Sequence, residues 1–168
     1  MNYHKIEKTS IANGEGIRVV LWVSGCSLHC RGCHNPETWS LCSGQPFDEK
    51  AKKELFEALD KPYIQGITFS GGHPFEKYNR STIYCLVKEI KEKFPQKDIW
   101  LYTGYTWEEI WASDIREIER TLYWIDVLVD GKYVEEERDI TLKWRGSRNQ
   151  RVIDVKSSLK QDKVVLWE

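Results

Sequence analysis

Residues 18–33 read RVVLWVSGCSLHCRGC, an apolar run that leads directly into three cysteines. The run Arg18–Ser24 is rich in β-branched residues and ends at a glycine, which predicts a buried strand. The cysteines follow with the spacing C-x3-C-x2-C, at positions 26, 30 and 33. Cysteines clustered in this way, in a chain with no export signal, more often hold a metal or carry redox chemistry than form disulfides. The stretch therefore predicts a metal-binding or redox loop at the end of a strand.

The rest of the chain alternates β-rich runs with helical patterns. Further strands are predicted over Gly66–Ser70, Asp98–Tyr102 and Ile125–Val129, with two short ones in the tail, Val152–Val155 and Val164–Trp167. Helices are predicted over Asp48–Leu59, Arg80–Phe94 and Trp107–Leu122. This alternation indicates βαβ units and a mostly parallel sheet. A closed eight-fold barrel typically needs about 250 residues. We therefore expect an α/β fold, a partial (open) TIM-like barrel of βα units, in a single domain over residues 1–168.

The composition is that of a globular domain without strong charge bias. The chain has 25 Lys and Arg against 26 Asp and Glu, a net charge of −1, which argues against nucleic acid as the main partner. No run of about 18 apolar residues is present, so no membrane span is expected. The first residues, MNYHKIE, lack the apolar core of a signal peptide, which favours a cytoplasmic location.

The predicted parallel strands end in four unusual turns. Parallel α/β sheets place ligands at the carboxyl ends of their strands, so these turns should share one rim and form one site. The turns are Gly25-Cys26, Gly71-Gly72-His73-Pro74, Thr103-Gly104-Tyr105 and Asp130-Gly131-Lys132.

Residues of two of these turns, Gly71-Gly72-His73-Pro74 and Asp130-Gly131-Lys132, have two readings each. The two glycines could present backbone groups to a small polar ligand, although such a pair is more often only a turn. His73 could contact a ligand, although taken alone it is better explained as a surface histidine. Asp130 could accept a ribose hydroxyl or simply belong to an Asp-Gly turn. A later loop with Arg145, Arg148 and Arg151 could bind an anion or a protein, or be a solvated surface.

The cysteine spacing supports two kinds of metal site. Three thiolates in one loop can hold three irons of a [4Fe–4S] cluster, and the fourth iron is then open to a ligand. The alternative is a Cys3His zinc site completed by His29 or His34, in a structural interaction module without chemistry. Cys42 could be a fourth ligand but is better explained as a free thiol, and Cys85 falls within a predicted helix.

Taken together, these motifs resemble a known family. The cysteine spacing after the first strand, with a Gly-Gly-x-Pro turn after the second, resembles the radical S-adenosylmethionine superfamily. Several further motifs narrow the resemblance to the activating proteins of anaerobic ribonucleoside-triphosphate reductases, over residues 2–151. These motifs are Asn13-Gly14-x-Gly16, Gly32-Cys33-x-Asn35, Thr38-Trp39, Asp98-Ile99-Trp100, Thr103-Gly104-Tyr105, Asp130-Gly131-Lys132 and Trp144-Arg145-Gly146-Ser147.

The resemblance implies a cofactor set and a reaction. Cys26, Cys30 and Cys33 would hold a [4Fe–4S] cluster, and S-adenosylmethionine would chelate its open iron. Reductive cleavage would release a 5′-deoxyadenosyl radical, which takes a hydrogen atom from a glycine of the reductase. The implied partners are the reductase and an electron donor such as flavodoxin, and a homodimer is possible. The implied cofactor contacts are Gly32, Cys33, His34, Gly71, Gly72, His73 and, at the ribose, Asp130.

The sequence departs from the superfamily pattern at two positions. Gly32 stands before the third cysteine, where an aromatic residue is common. His73 stands after the glycine pair, where an acidic residue usually accepts a hydrogen bond from the methionyl ammonium. Neutral imidazole can accept but imidazolium cannot, so we expect cofactor affinity to weaken as pH falls through about 6.5. Glu76 is the substitute acceptor if His73 has no such role.

Other activities remain compatible with the superfamily resemblance. The chain could activate another glycyl-radical enzyme or transform a small molecule. A short chain leaves little room for a substrate-binding insert, which favours a protein substrate.

Overall fold

A seven-stranded mixed sheet forms the centre of the computed structural model, which describes residues 1–168. Its strands are β1 (Asn2–Ser10), β2 (Arg18–Val23), β3 (Gln45–Pro46), β4 (Gly66–Gly71), β5 (Asp98–Tyr102), β6 (Val127–Asp130) and β7 (Arg151–Asp154). The spatial order is β3-β1-β2-β4-β5-β6-β7. The pairs from β2 to β6 are parallel, while β1, β3 and β7 are antiparallel to their neighbours. The α/β class and the mostly parallel centre are thus confirmed, and the barrel-like curvature stays a prediction.

Five helices connect and cover the strands: α1 (Glu49–Leu59), α2 (Arg80–Lys93), α3 (Trp107–Ala112), α4 (Arg116–Leu122) and α5 (Val155–Gln161). Two short 3-10 helices cover Pro36–Thr38 and Glu135–Glu137. None of the helices is both long and apolar enough to cross a membrane. The cap of α1 agrees with expectation, since the Asp48 carboxylate accepts the Ala51 N–H at 2.9 Å.

The single helix predicted over Trp107–Leu122 is wrong, because the structure breaks it into α3 and α4. Asp114, with φ of +51°, takes a left-handed conformation between them. A capping box of Thr106 and Glu109 opens α3, as the sequence predicts.

The tail and the N-terminus also differ from expectation. The strand predicted over Val164–Trp167 is a single bridge, Ile153 to Leu166. Asp154 caps α5, which therefore begins where the predicted strand Val152–Val155 ends. Sequence analysis missed β1 because its charged residues leave no regular alternation of buried and exposed positions.

The two faces of the sheet have different surroundings because successive strand residues point to opposite sides. One face presents residues such as Leu21, Phe69 and Leu101 to the main apolar core, where the helices pack. On the other, Trp100 packs with Val127 and Val129 in a small separate cluster. Polar side chains also occupy this second face: buried Arg18 donates from Nε to Thr68 Oγ1 at 2.8 Å. The second face is therefore partly polar.

Candidate functional site

The cysteine loop begins at the carboxyl end of β2. Gly25, with φ of +93°, turns the chain out of the strand. Backbone bonds then anchor the loop to the segment around Pro36–Thr38: Gly25 N–H donates to Thr38 O at 2.7 Å, and Cys26 N–H donates to Trp39 O at 3.0 Å. These bonds hold the first cysteine at the sheet edge.

The three thiols are half-buried and lie close to hydrogen-bond donors. Burial is the main cause that raises the pKa of Cys26, and backbone N–H groups of Leu28 and His29 oppose it by donating to the sulfur. The Asn35 N–H lies 3.4 Å from Cys33 Sγ. Such donors stabilise thiolate charge, so the loop suits metal-bound sulfur.

The Cys3His zinc arrangement is not assembled. No three His, Cys, Asp or Glu side chains, the three cysteines included, converge closely enough to hold a single metal ion. His29 instead stacks on Trp39 with ring centroids 4.6 Å apart, and His34 packs against Tyr133 at 5.1 Å. The remaining cysteines, Cys42 and Cys85, are exposed.

A cavity of about 260 Å³ lies over the loop and contains parts of all four predicted turns. The expectation that the turns share one rim is therefore met. The residues from the cysteine loop and the other three turns that line it are Cys26, Cys30, Cys33, His34, Gly71, Gly72, His73, Thr103, Gly104, Gly131 and Lys132. Sequence reasoning did not single out Trp22, Tyr133 or Gln150, which also line it, since none lies in a recognisable motif.

The glycine pair lets the turn after β4 lie directly against the end of β2. A Cβ on Gly72 would come within 2.6 Å of Gly25 O, and one on Gly71 within 2.9 Å of Val23 N. The N–H groups of Gly72 and His73 donate to Val23 O and Gly25 O at 2.8 and 2.7 Å. These amides therefore tie the turn to the cysteine loop and are not free for a ligand.

His73 lines the cavity although its side chain is 1 % exposed. Its Nε2 lies 2.8 Å from Thr103 Oγ1, whereas Nδ1 is buried without a partner. Burial lowers the pKa of His73 to about 4, against a smaller opposing effect of Glu76. The imidazole is therefore neutral near pH 7 and carries one unpaired polar atom.

Glu76 does not line the cavity, because its carboxylate is bonded elsewhere. Its two oxygens accept the N–H groups of Ser27 at 2.9 Å and Lys77 at 3.2 Å. Burial favours a higher pKa of Glu76, but these hydrogen bonds outweigh it and lower the pKa. Glu76 thus fastens the cysteine loop, and its suggested role as substitute acceptor stays a prediction.

Asp130 is also bonded within the protein, and its contact with a ribose stays a prediction. Its carboxylate is fully buried and does not line the cavity. It accepts the Trp107 N–H at 2.8 Å and the Arg151 Nε–H at 3.1 Å. The acidic group therefore joins β6 to α3 and β7.

The loop that contains Arg145, Arg148 and Arg151 is only partly exposed to solvent. Arg151 bridges Asp130 and Glu108, and the hydrogen bonds to these carboxylates raise the pKa of Arg151. Arg145 donates to the Gln150 carbonyl. Only Arg148 of the three is an exposed residue.

Gly32 stands where the superfamily pattern commonly has an aromatic residue, and its surroundings explain this departure. It has φ of +74°, and a Cβ there would overlap the Glu135 carboxylate. Glu135 accepts the Tyr133 hydroxyl at 2.6 Å. The segment after β6 thus returns to the cysteine loop and fills the space beside the third cysteine.

Comparison with known proteins agrees with this site. Residues 12–153 match the family described as a 4Fe-4S single cluster domain. A protein of Enterobacteria phage T4 is 47 % identical over 154 residues, 90 % of this chain and 93 % of its own length. A protein of Pasteurella multocida (strain Pm70) is 44 % identical over 152 residues, covering 89 % and 95 %. A protein of Escherichia coli (strain K12) is 43 % identical over 154 residues, covering 90 % and 97 %.

All three relatives carry the name "Anaerobic ribonucleoside-triphosphate reductase-activating protein". Their similarity extends over nearly the whole chain. This chain therefore belongs to the family of anaerobic ribonucleoside-triphosphate reductase-activating proteins.

Proposed function

We propose that this chain is a radical S-adenosylmethionine enzyme that generates a glycyl radical on an anaerobic ribonucleoside-triphosphate reductase. Cys26, Cys30 and Cys33 would hold a [4Fe–4S] cluster whose fourth iron binds S-adenosylmethionine. When bound, this pair supplies one-electron cleavage of the sulfonium and a 5′-deoxyadenosyl radical that takes a hydrogen atom from glycine Cα. The observation that carries the proposal is that the three thiols and the Gly71-Gly72 turn line one cavity.

The charge of the cavity lining supports a role for His73. None of the lining residues is Asp or Glu, so the methionyl ammonium has no carboxylate partner. Nδ1 of His73 is a buried nitrogen without a hydrogen-bond partner, and the residue His73 lines the same cavity. With Nε2–H donating to Thr103 Oγ1, Nδ1 would accept a hydrogen bond from the ammonium.

The protein would also keep water away and leave one side open for the substrate. The sheet lines one side, and the turns after β4, β5 and β6 close the carboxyl end. Asn13, from the β1–β2 loop, and Gly146, from the segment before β7, line the cavity from opposite edges of the parallel region. In a partial barrel, the reductase glycine would enter between these edges. A one-electron donor such as flavodoxin would reduce the cluster.

The test is cofactor cleavage by anaerobically reconstituted protein. With a chemical reductant and S-adenosylmethionine, we expect methionine and 5′-deoxyadenosine in equal amounts. Cys26→Ala, Cys30→Ala and Cys33→Ala should lose the iron and the cleavage, whereas Cys42→Ser and Cys85→Ser should retain both. Stoichiometric zinc without iron, or iron retained in the cysteine-loop variants, contradicts the proposal.

A further inference from the structure

A second groove, of about 260 Å³, lies between the segment before β7 and the segment after α5. Its apolar lining consists of Trp144, Val152, Leu166 and Trp167. Leu166 is 55 % exposed although it is apolar. Single exposed apolar residues are common on protein surfaces, but several that line one groove indicate a contact surface for another molecule.

The floor of this groove is fixed by contacts within the protein. The rings of Trp144 and Trp167 pack edge-on against buried Trp100, with ring centroids 5.1 and 5.8 Å apart. The Trp144 carbonyl accepts the Tyr102 hydroxyl at 2.6 Å, and the Trp167 backbone N–H donates to Val152 O at 2.9 Å. A partner that binds here therefore has little ordering of the groove to offset.

The charged residues of the groove are mostly basic. Lys143 and Arg145 line it together with a single acidic residue, Glu168. Neither cation takes part in an ion pair within the protein. Lys143 Nζ lies 5.9 Å from the Trp144 ring centroid, and Arg145 donates to the Gln150 carbonyl. The groove is therefore suited to an apolar side chain with a carboxylate beside it.

The groove adjoins the cavity over the cysteine loop without sharing a lining residue with it. Gly146 lines the cavity, whereas Arg145, the residue before it, lines the groove. Consecutive Cα atoms are about 3.8 Å apart, and an extended chain advances about 3.3 Å per residue. A peptide that places one residue in the cavity can therefore place a residue a few positions away in the groove.

We propose that this groove binds the segment of the reductase that flanks its glycine, through an apolar side chain and an adjacent carboxylate. This inference rests on the proposed function, because it assumes that the reductase glycine enters the cavity. An electron donor would have to approach the cysteines, and no residue of the cysteine loop lines the groove. The groove therefore gives the protein substrate a contact that S-adenosylmethionine does not use.

The first test is glycyl-radical formation at varied concentrations of the cognate reductase, with cleavage of S-adenosylmethionine in its absence as the second readout. Leu166→Ser should raise the KM for the reductase about fivefold, since a half-exposed leucine loses its apolar contact. Lys143→Glu should raise it several-fold, and less at about 1 M salt, where charges are screened. Cleavage without reductase should be unchanged in both variants.

Two exposed residues outside the groove provide matched controls. Tyr123→Ser removes a side chain that is 64 % exposed, and Lys163→Glu reverses an exposed charge near the groove. Both should keep the wild-type KM for the reductase. Lys143→Glu keeps the proposal testable if Leu166→Ser fails to fold.

The second test is photochemical crosslinking, which identifies the occupant of the groove. Leu166→p-benzoylphenylalanine should crosslink to the reductase within about ten residues of the glycine that carries the radical, whereas Tyr123→p-benzoylphenylalanine should not. An unchanged KM in both groove variants, or crosslinks only to a remote part of the reductase or to the electron donor, overturns the inference alone. A wild-type protein that does not cleave S-adenosylmethionine overturns the proposed function together with it.

Discussion

The His73 imidazole and the Thr103 hydroxyl connect the turn after β4 to the turn after β5, with Nε2 and Oγ1 2.8 Å apart. The hydroxyl is itself fixed, since it accepts the Tyr105 N–H at 3.2 Å. The imidazole therefore has a set orientation and leaves Nδ1 without a partner inside the protein. A group buried in this way has consequences for binding and for stability.

Cofactor affinity should be nearly independent of pH between 8 and 6. The sequence alone suggested a loss through about pH 6.5, but burial lowers the pKa of His73 to about 4. Neutral imidazole accepts the ammonium hydrogen bond, so affinity should fall only as pH approaches 4. Titration of the iron-loaded protein with S-adenosylmethionine at pH 8, 7 and 6 checks this. A tenfold loss by pH 6 would contradict it, and His73→Phe should bind about tenfold more weakly throughout.

Acid should destabilise the ligand-free protein through the same side chain. The unfolded chain takes up a proton at His73 below about pH 6.5, whereas the folded protein does so only near pH 4. The free energy of unfolding should therefore decrease as pH falls across this window, with about 2 kcal/mol of the loss reached at pH 5. Urea unfolding at pH 7 and pH 5 measures it. In His73→Gln this part of the pH dependence should be missing. If the free energy of unfolding of His73→Gln decreases between pH 7 and pH 5 as much as that of the wild type, the assignment is refuted.

Asp130→Asn should lower stability but not cofactor affinity. The carboxylate accepts hydrogen bonds from Trp107 and Arg151, and loss of these charge-assisted bonds costs about 2 kcal/mol. Glu108→Gln is the control, because this more exposed partner of Arg151 should contribute less than about 1 kcal/mol. Urea unfolding gives the stabilities, and binding is compared below the unfolding transition. Weaker S-adenosylmethionine binding by Asp130→Asn without destabilisation would instead indicate a ribose contact.

Gly32→Ala should impair iron loading. The left-handed backbone costs a residue with a side chain about 1–2 kcal/mol, and the new methyl would also collide with Glu135. Gly131→Ala separates the two effects, because Gly131 also has positive φ (+90°) but an added Cβ there would meet no atom closer than 3.8 Å. Iron content after reconstitution should fall more in Gly32→Ala than in Gly131→Ala. Adding Glu135→Ala should recover part of the loss, and no recovery would show that the collision is unimportant.

Local sequence signals predicted the elements whose patterns are complete within a short stretch. The ranges of β2, β4, β5, α1 and α2 agree with expectation within one residue at each end, since apolar runs, a capping aspartate and Pro95 mark them. No glycine or proline in the sequence marks the break between α3 and α4. Strand β1 is recognised only through its pairing with β2, which lies outside local sequence patterns.

The site was predictable to the extent that parallel strands bring their ends together. That rule placed the cysteine loop and the glycine turn in one cavity. It could not show what each side chain bonds to, because the partners are distant in sequence. Asp130 accepts a hydrogen bond from Arg151, and Glu76 accepts one from Ser27. Glu135 occupies the space beside Gly32.

The most direct measurement of the central claim is electron spin resonance on a mixture of this protein, S-adenosylmethionine, a reductant and the reductase. We expect a doublet glycyl signal that collapses towards a singlet when the reductase carries glycine deuterated at Cα, and that is absent with Cys30→Ala. Cleavage of S-adenosylmethionine without that signal, or the signal with Cys30→Ala, would contradict the claim.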